Sequence, residues 1–457
     1  MRNLGGVNKM AVFIIAILLF SEVLFADQIT LDQSIDYAIN HNQSVLIAKE
    51  KITASEGSII SARALLLPQI TATAGYTRAS YLTNFSYGDP TKLPIFDATG
   101  KPTGDYLAFP SFSFSADRMG DLYSGKVSLN YTLFAFGKLQ ANYDISLISN
   151  SVNIEDYNRI VSDTKLSVKQ SFYSILLMQE LIKVLDETSK SLNLHLETTN
   201  KRYDAGLVSK FEVLRAKVQL ANIQPQRTKA NNQLEIAVIN FNAVLGAETN
   251  NKFIPIGELK YEREDFSLDE CLKVSHEKRP EVKQMQLRRA MAKEAVTIAS
   301  SNYWPSVIFT TGYQGNRGQQ FPPNDTKWYT GWDAGVYVNI PIFDGFSTYG
   351  KVKETKANLE QAEIAEKQFE RVVDMEVKSS YLTLKSSEDT ILAQKENVEV
   401  AKESLKIIKE RYNQGQATNL EVLDTEVSLL QAETNYLQAL YDYNIAKGKL
   451  KKSIGRE

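Results

Sequence analysis

The chain has 457 residues, with 52 Lys and Arg against 54 Asp and Glu and a formal net charge of −2 at pH 7. This near balance gives no polyelectrolyte character, so we expect no nucleic-acid partner. The single cysteine, Cys271, cannot form an internal disulfide, and the three histidines lie far apart in the sequence. We therefore expect no metal site and no cofactor. The sequence has no nucleophile elbow and no phosphate-binding loop, so it predicts no enzymatic activity.

Residues 1–26 have the order of a secretory signal peptide. Arg2 and Lys9 precede the apolar run MAVFIIAILLF, and a short segment leads from this run to Ala26. The run is about half of the roughly 20 residues that a spanning helix needs, which favours a cleaved signal over a membrane anchor. No later segment is apolar enough, for long enough, to cross a bilayer as a helix. An exported protein of this kind would meet a membrane by another route.

The rest of the chain is a duplicated unit. The segment RYDAGLVSKFEVL, from Arg202, returns as RYNQGQATNLEVL from Arg411, and LLPQITATAGY returns as YWPSVIFTTGY. Matching residues are 237 positions apart up to Tyr76 and 209 positions apart from Val127 onward, so the extra residues of the first copy lie between these two points. We predict a signal peptide (1–26), a first repeat (27–246), an equatorial linker (247–267) and a second repeat (268–457).

Each repeat begins with a helical pattern and continues into a predicted β-hairpin, over about 68–136 and about 305–343. Apolar and polar residues alternate in four segments, which is the period of a half-apolar strand. The predicted apolar faces are Ile70, Ala72, Ala74 and Tyr76; Val127, Leu129, Tyr131 and Leu133; Val307, Phe309 and Tyr313; and Trp332, Ala334, Val336, Val338, Ile340 and Ile342. The extra segment of the first copy, from Tyr81 to Leu122, is rich in Ser, Phe, Pro and Gly and is predicted to be a long loop.

Long helices follow each hairpin. No Gly or Pro occurs from Lys138 to Ala205 or from Lys351 to Gln414, and a helix of roughly 60 residues would reach about 90 Å. Apolar residues at spacings of three and four predict a coiled-coil seam in the second copy. Gly206 and Gly415 can adopt the left-handed conformation that ends a helix. Each repeat should therefore contain a helical hairpin with its tip at one of these glycines.

Four apolar-faced strands are too few to close a barrel, and an open sheet edge in lipid would leave backbone groups without hydrogen-bond partners. The alternative for alternating strands is a soluble sandwich. Three features favour a barrel shared by several chains: the export signal, the lack of a disulfide, and helices too long for the same core. Aromatic residues near the strand ends, at Trp304, Trp328 and Trp332, suit a membrane interface. A rival function is that of an exported trimeric coiled-coil protein or adhesin without a conducting pore.

Together these features resemble the TolC-type outer-membrane efflux proteins, or outer membrane factors. The resemblance rests on ARALLLPQITATAGY, on NIPIFDG after the fourth strand, on the paired tips GLVSKFEVL and GQATNLEVL, and on the duplication. It implies a mixed α/β membrane protein: a homotrimer whose chains each give four strands to one β-barrel in outer-membrane lipid, with coiled-coil helices forming a periplasmic tunnel. It also implies a passive exit duct for efflux or type I secretion. Its partners would be a periplasmic adaptor (membrane fusion) protein and a proton-driven or ATP-driven inner-membrane transporter.

The resemblance also implies a gate at the hairpin tips. Acidic side chains of the second repeat would form rings there, at Glu421 and Asp424, with Glu212 at the equivalent place in the first repeat. A threefold axis would gather three copies of each carboxylate, so the rings would attract cations and raise the pKa of their own members. The alternative for these residues is a solvated coiled-coil flank.

Two further roles at the tips follow from the same resemblance. Tyr412 aligns with a family tyrosine that helps to tie the tip shut, but the usual arginine partner is Ala417 here. Lys210 or Arg215 of the neighbouring hairpin is a replacement to test, and Tyr412 also fits the coiled-coil seam. The surface that adaptors grip in the family maps onto Gly206, Leu207, Val208 and Gly415.

Overall fold

A computed structural model describes residues 27–87, 91–109, 112–247, 253–318 and 327–456, so the predicted signal peptide lies outside the described residues. The helices in these ranges are α1 (Leu31–His41), α2 (Gln43–Ala64), α3 (Lys138–Asp204), α4 (Lys210–Leu245), α5 (Leu268–Lys278), α6 (Pro280–Ser301), α7 (Ser347–Asn413) and α8 (Asn419–Ser453). The strands are β1 (Asp27–Ile29), β2 (Gln69–Tyr87), β3 (Thr91–Phe96), β4 (Pro102–Phe109), β5 (Phe112–Phe134), β6 (Phe253–Pro255), β7 (Ser306–Gly318) and β8 (Tyr329–Asn339).

The chain divides into two compact units. Of the described residues, a helical unit contains those up to Gly57, Ser146–Lys293 and those from Ala357, and a strand unit contains Ser58–Ile145 and Glu294–Lys356. None of the helices within the described ranges has both the length and the apolar character needed to cross a bilayer.

The long helices form two helical hairpins. Helices α3 and α7 have 67 residues each, which corresponds to about 100 Å at 1.5 Å per residue. The first helical hairpin is α3 with α4, and the second is α7 with α8. Both tips are Schellman turns on a left-handed glycine. At Gly206, the next residue closes the turn: Leu207 N donates to Arg202 O at 2.8 Å. At Gly415, Gln416 N likewise donates to Arg411 O at 2.9 Å.

Among the hydrophobic cores in the described part of the helical unit, two are equivalent, one in each repeat. Phe241 and Leu245 are fully buried in the first core, and Leu450 and Ile454, 209 positions later, are fully buried in the second. Burying a side chain of this size contributes about 1.5–3 kcal/mol. This equivalence supports the proposed division of the chain into two repeats.

Each core ends at a left-handed glycine that packs against the start of the same repeat. A Cβ added to Gly246 (φ +72°) would lie 2.4 Å from His41 O, and one added to Gly455 (φ +69°) would lie 3.0 Å from the carbonyl carbon of Lys278. His41 and Lys278 are themselves 237 positions apart. The same close backbone approach therefore occurs once in each repeat, and it requires glycine in both.

The linker contains a strand that the sequence patterns did not predict. Strand β6 pairs in parallel with β1 in the register Asp27 with Phe253 and Ile29 with Pro255. Three-residue strands are too short to show a period of two in the sequence. The pairing connects the start of the described chain to the linker within the helical unit.

The strand unit contains a four-stranded antiparallel sheet in the order β2-β5-β7-β8. Its register confirms the predicted alternation: Ala72 pairs with Val127, Val127 with Tyr313, and Tyr313 with Trp332. Directly paired residues share a face, so these apolar residues form one row across both repeats. The adjacent row, on the opposite face, is Thr73, Lys126, Gln314 and Gly331. Strands β2 and β8 are the two edges of this sheet.

Two details of the predicted apolar faces are wrong. The register shifts between Thr132 and Phe134, so Phe134, and not Leu133, pairs with Val307. A bulge of this kind adds one residue and breaks the alternation locally. Strand β8 ends before Ile340 and Ile342, because the proline between them has no amide to donate to a ladder.

The predicted long loop is also wrong over most of its length. Strand β2 continues into the segment from Tyr81 to Leu122, β5 begins within it, and β3 and β4 form a separate hairpin between them. Phenylalanine and tyrosine alternate with small polar residues in parts of this segment, which is a strand pattern. Pro94 lies in β3 and pairs with Tyr106. Both strands of a two-stranded hairpin are edges, and edge strands accept proline.

Candidate functional site at the hairpin tips

The predicted docking residues lie at the two turns. Leu207 is 74% exposed and Val208 is half-buried. Gly206 and Gly415 are exposed, and a Cβ added to either would meet no other atom within 4 Å. The first tip therefore presents an apolar side chain together with accessible backbone.

Glu421 lies in the first turn of α8, where it forms a capping box with Thr418. Its Oε2 accepts hydrogen bonds from Thr418 N at 2.6 Å and from Thr418 Oγ1 at 2.9 Å, and Glu421 N donates back to Thr418 Oγ1 at 3.3 Å. The hydrogen bonds from the Thr418 backbone and hydroxyl lower the pKa of Glu421. The sequence analysis expected a raised pKa, and within a single chain the direction is the opposite, because these donors favour the charged carboxylate.

The other two acidic residues have different surroundings. Asp424 is exposed, three residues from Glu421 on α8. Glu212 is half-buried and accepts from Asn419 Nδ2 at 2.8 Å through Oε2 and at 3.1 Å through its backbone carbonyl. The structure thus joins Glu212 to α8 of the same chain and leaves Glu421 and Asp424 on an exposed side.

Tyr412 is a buried residue with a partner that the sequence analysis missed. The ring is 3% exposed, and the Arg202 guanidinium lies 4.2 Å from its centroid. Arg202 Nη2 also donates to Tyr412 O at 2.6 Å and to Asn413 O at 2.9 Å, the last carbonyls of α7. Within the single chain, the cation beside Tyr412 is therefore Arg202.

Arg202 and Tyr412 belong to a row of polar contacts between the two helical hairpins, which we call the polar seam. Its members are Ser191, His195, Thr199 and Arg202 on α3, Lys409 and Tyr412 on α7, and Asn419 and Glu426 on α8. The α3 residues follow one another by three or four positions, which places them on one helix face. The sequence pattern does not indicate this face, because its residues are polar and give no apolar period.

At one end of the polar seam, the half-buried Lys409 pairs with the buried carboxylate of Glu426. Lys409 Nζ is 2.6 Å from Glu426 Oε1, and Glu426 is 2% exposed. Ser191 Oγ donates to the same carboxylate oxygen and accepts from Lys409 Nζ at 2.6 Å. A buried charge of this kind is tolerated because it is both paired and hydrogen-bonded.

In the middle of the seam, His195 connects three helices. His195 Nε2 lies 2.5 Å from Asn419 Oδ1, and both side chains are buried. Asn419 Nδ2 donates to Glu212, so the amide oxygen is the acceptor and His195 Nε2 carries the proton. Burial lowers the pKa of His195, although the bond to Asn419 and the charge of Glu426 act in the opposite direction.

The three predicted interface tryptophans lie in the strand unit and are exposed in the single chain. Trp332 is in the apolar row of β8, and Trp328 immediately precedes that strand. Trp304 lies before β7 and stacks on Phe136 with the ring centroids 5.1 Å apart. As for metals, the described residues contain no group of three or more His, Cys, Asp or Glu able to hold an ion.

Comparison with known proteins assigns this arrangement to a family. Residues 34–247 and 272–456 match the family described as outer membrane efflux protein, and these two segments contain both helical hairpins and the four-stranded sheet. The chain belongs to the outer membrane efflux protein family.

Relatives in this family support the assignment across most of the chain. Outer membrane protein TolC of Vibrio cholerae serotype O1 is 22% identical over 424 residues, covering 91% of this chain and 88% of that protein. TolC of Escherichia coli K12 is 23% identical over 349 residues, covering 73% and 69%. The fold is similar to that of the CmeC outer membrane channel of Campylobacter jejuni, with a TM-score of 0.74, 17% identity, and coverage of 93% and 85%.

Members of the outer membrane efflux protein family are channels. This chain is accordingly an outer-membrane exit duct for efflux or secretion, with its helical part in the periplasm. The predicted fold class is confirmed: four strands of each chain contribute to a shared trimeric β-barrel, and the long helices form the tunnel. Membership argues against the rival function of an exported coiled-coil protein without a pore.

Proposed function

We propose that this duct is the outer-membrane component of a tripartite assembly, joined through its hairpin tips to a periplasmic adaptor protein and, through it, to an inner-membrane transporter. The exposed Leu207 beside Gly206, with Val208 next to it and Gly415 at the second tip, supports this docking role. An apolar side chain presented at a turn is available to a partner protein. Substrate would pass through the duct passively, since the transporter supplies the energy.

We further propose that Glu421 and Asp424 form the periplasmic gate. Residues three apart lie on the same helix face, and both are exposed in the single chain. A threefold assembly would gather these carboxylates into two rings, which would favour cations over anions. Glu212 and Tyr412 would act differently, because each contacts the other helical hairpin of its own chain. They would hold the two hairpins together while the carboxylates face the conducting path.

For the membrane, we propose that Trp304, Trp328 and Trp332 lie at the lipid–water boundary. Tryptophan favours that boundary because its ring is apolar and its N–H is polar. The apolar row of the sheet, which includes Trp332, would face the lipid, and the opposite row with Lys126 would face the lumen.

In-cell photo-crosslinking tests the assembly. A photoreactive amino acid at Leu207, in the native outer membrane, should capture an adaptor protein. Leu194, an exposed leucine of α3 that lies outside the turn, is the matched control position. Recovery of a proton-driven exporter with the adaptor would indicate small-molecule or metal efflux, and recovery of an ATP-driven transporter would indicate secretion of larger cargo. Equal capture at both positions, or none at Leu207, would contradict docking through this tip.

A further inference from the structure

We propose that His195 and Asn419 form a proton-sensitive clasp between the two helical hairpins of each chain, which loosens when His195 takes up a second proton. The clasp lies in the polar seam, and its effect on conduction rests on the proposed gate at the tips. Its effect on the hairpins themselves does not depend on where the gate lies.

Two consecutive hydrogen bonds let the clasp connect three helices. His195 on α3 donates to Asn419 on α8 at 2.5 Å, and Asn419 donates to Glu212 on α4 at 2.8 Å. One histidine proton therefore helps to join three helices and both hairpins. His195 is 7% exposed and Asn419 is 3% exposed, so little water is available to replace this bond while the hairpins stay packed.

The charges around His195 come from every helix that packs against it. Its own helix, α3, supplies Arg202, and α7 supplies Lys409, and both cations oppose a further positive charge. Helix α8 supplies Glu426, which favours the charged ring but is already paired with Lys409 at 2.6 Å. Helix α4 supplies Glu212, which reaches His195 only through Asn419. Tyr412, from α7, packs beside the ring with the centroids 5.0 Å apart.

A second proton on His195 thus adds a positive charge to a buried region that already contains two cations, Arg202 and Lys409. The carboxylate of Glu426 offsets one of them. Burial and these cations lower the pKa of His195 in the packed state, and separation of the hairpins would hydrate the ring and restore its ordinary pKa of 6.5. The separated state then binds more protons. The packed state is fully favoured above pH 6.5 and loses that advantage as the pH falls through the lowered pKa of His195.

The measurement is the distance between the two hairpins as a function of pH. Spin labels on cysteines introduced at Asn200 of α3 and Glu410 of α7, both exposed, would report it in assembled trimers, with labelled chains diluted among unlabelled ones. Cys271 is buried, and the unsubstituted chain serves as the labelling control. We expect the population with the longer distance to increase when the pH falls from about 7.5 to about 5.5, below the ordinary histidine pKa.

Two variants decide the cause. His195→Gln keeps a donor for Asn419 but cannot titrate, and it should abolish the pH dependence. His276→Gln alters a histidine that lies outside the polar seam, paired with Asp374 at 2.8 Å, and it should respond as the labelled chain with both histidines intact does. An unchanged distance in the labelled chain that retains His195, or a pH response that survives in His195→Gln, would overturn the clasp.

Two parallel measurements keep the outcomes separate. Histidine NMR of the assembled trimer, with three histidines to resolve, should show His195 titrating below its ordinary pKa, and titration at or above that value would also overturn the clasp. Conductance recorded over the same pH range tests the gate. A pH-dependent distance with constant conductance would support the clasp and contradict the gate at the tips.

Discussion

At the scale of single residues, the four predicted gate residues have two kinds of surroundings. Glu421 and Asp424 are exposed carboxylates, whereas Glu212 and Tyr412 bind the opposite helical hairpin. Glu421 has a second role, because it completes the capping box of α8. A substitution there changes both charge and helix capping, so the two effects have to be separated experimentally.

Glutamine and alanine at position 421 separate them. Glutamine can form the capping-box hydrogen bonds at position N3 of the helix, and alanine cannot. Glu421→Gln should therefore reduce cation preference and leave the unfolding temperature unchanged. Glu421→Ala should reduce both. Reversal potentials in planar bilayers under a salt gradient, with thermal unfolding of the same trimers, provide the measurement. Asp424→Asn is the control, because it removes a carboxylate charge and leaves the capping box intact. If neither Glu421→Gln nor Asp424→Asn moves the reversal potential, these carboxylates lie outside the conducting path.

Arg202 should stabilise the contact between the two hairpins more strongly than Arg411, its counterpart in the other repeat. Arg202→Ala removes two charge-assisted hydrogen bonds to α7 and a contact with the Tyr412 ring, a loss of about 1–2 kcal/mol for a half-exposed group. We expect a higher single-channel conductance. The matched control is Arg411→Ala, since within the described part of the chain the hydrogen bond of Arg411 goes to the nearby Gln416 O, at 3.3 Å. An equal response of the two variants would indicate that Arg202 does not act through Tyr412.

At the scale of elements, the hairpins and the short helices of each repeat are connected by backbone contacts as well as by side chains. Strand β1 pairs with β6, and the glycines that end α4 and α8 pack on the α1–α2 and α5–α6 junctions. These contacts leave no room for a side chain. They therefore fix where each hairpin ends relative to the first helices of its own repeat.

Gly246→Ala tests this packing. The added Cβ would lie 2.4 Å from His41 O and would also force a left-handed alanine. We expect a loss of about 2 kcal/mol or more, since the left-handed conformation alone costs about 1–2 kcal/mol. Gly345→Ala (φ +67°) is the matched control, because its Cβ would meet no atom within 4 Å. Denaturation of both variants gives the comparison, and equal losses would show that the close approach at His41 contributes nothing.

At the scale of the whole molecule, the sheet of one chain is incomplete by itself. Strands β2 and β8 are edges whose backbone groups need partners in a membrane. We expect closure of the shared barrel to pair β8 of one chain with β2 of the next, and the alternating strand directions within the sheet would make this pair antiparallel.

Cysteine pairs across this junction should cross-link neighbouring chains. We would combine Thr73→Cys in β2 with single cysteines along β8, from Thr330 to Val336. The β8 cysteine that lies opposite position 73 of the next chain should give dimer and trimer bands on a non-reducing gel. Cysteines on the other face of β8 should give none, since side chains alternate between the two faces of a sheet. Cysteines at the central pair Thr311 and Ala334, which β7 and β8 form within one chain, are the control for intrachain bonds. A scan without interchain products would contradict closure through these two edges.

The sequence by itself determined the duplication, the long helices, the tip glycines and the apolar row of the sheet. Each of these follows from local chemistry: the missing Gly and Pro, the left-handed turn, and the strand period. The tertiary structure decided the polar seam. His195, Asn419 and Glu426 correspond to Ser404, Lys210 and Lys217 in the other repeat, and Tyr203 is 42% exposed where its counterpart Tyr412 is buried. Two copies that pack against each other give equivalent positions different neighbours, and no local pattern carries that information.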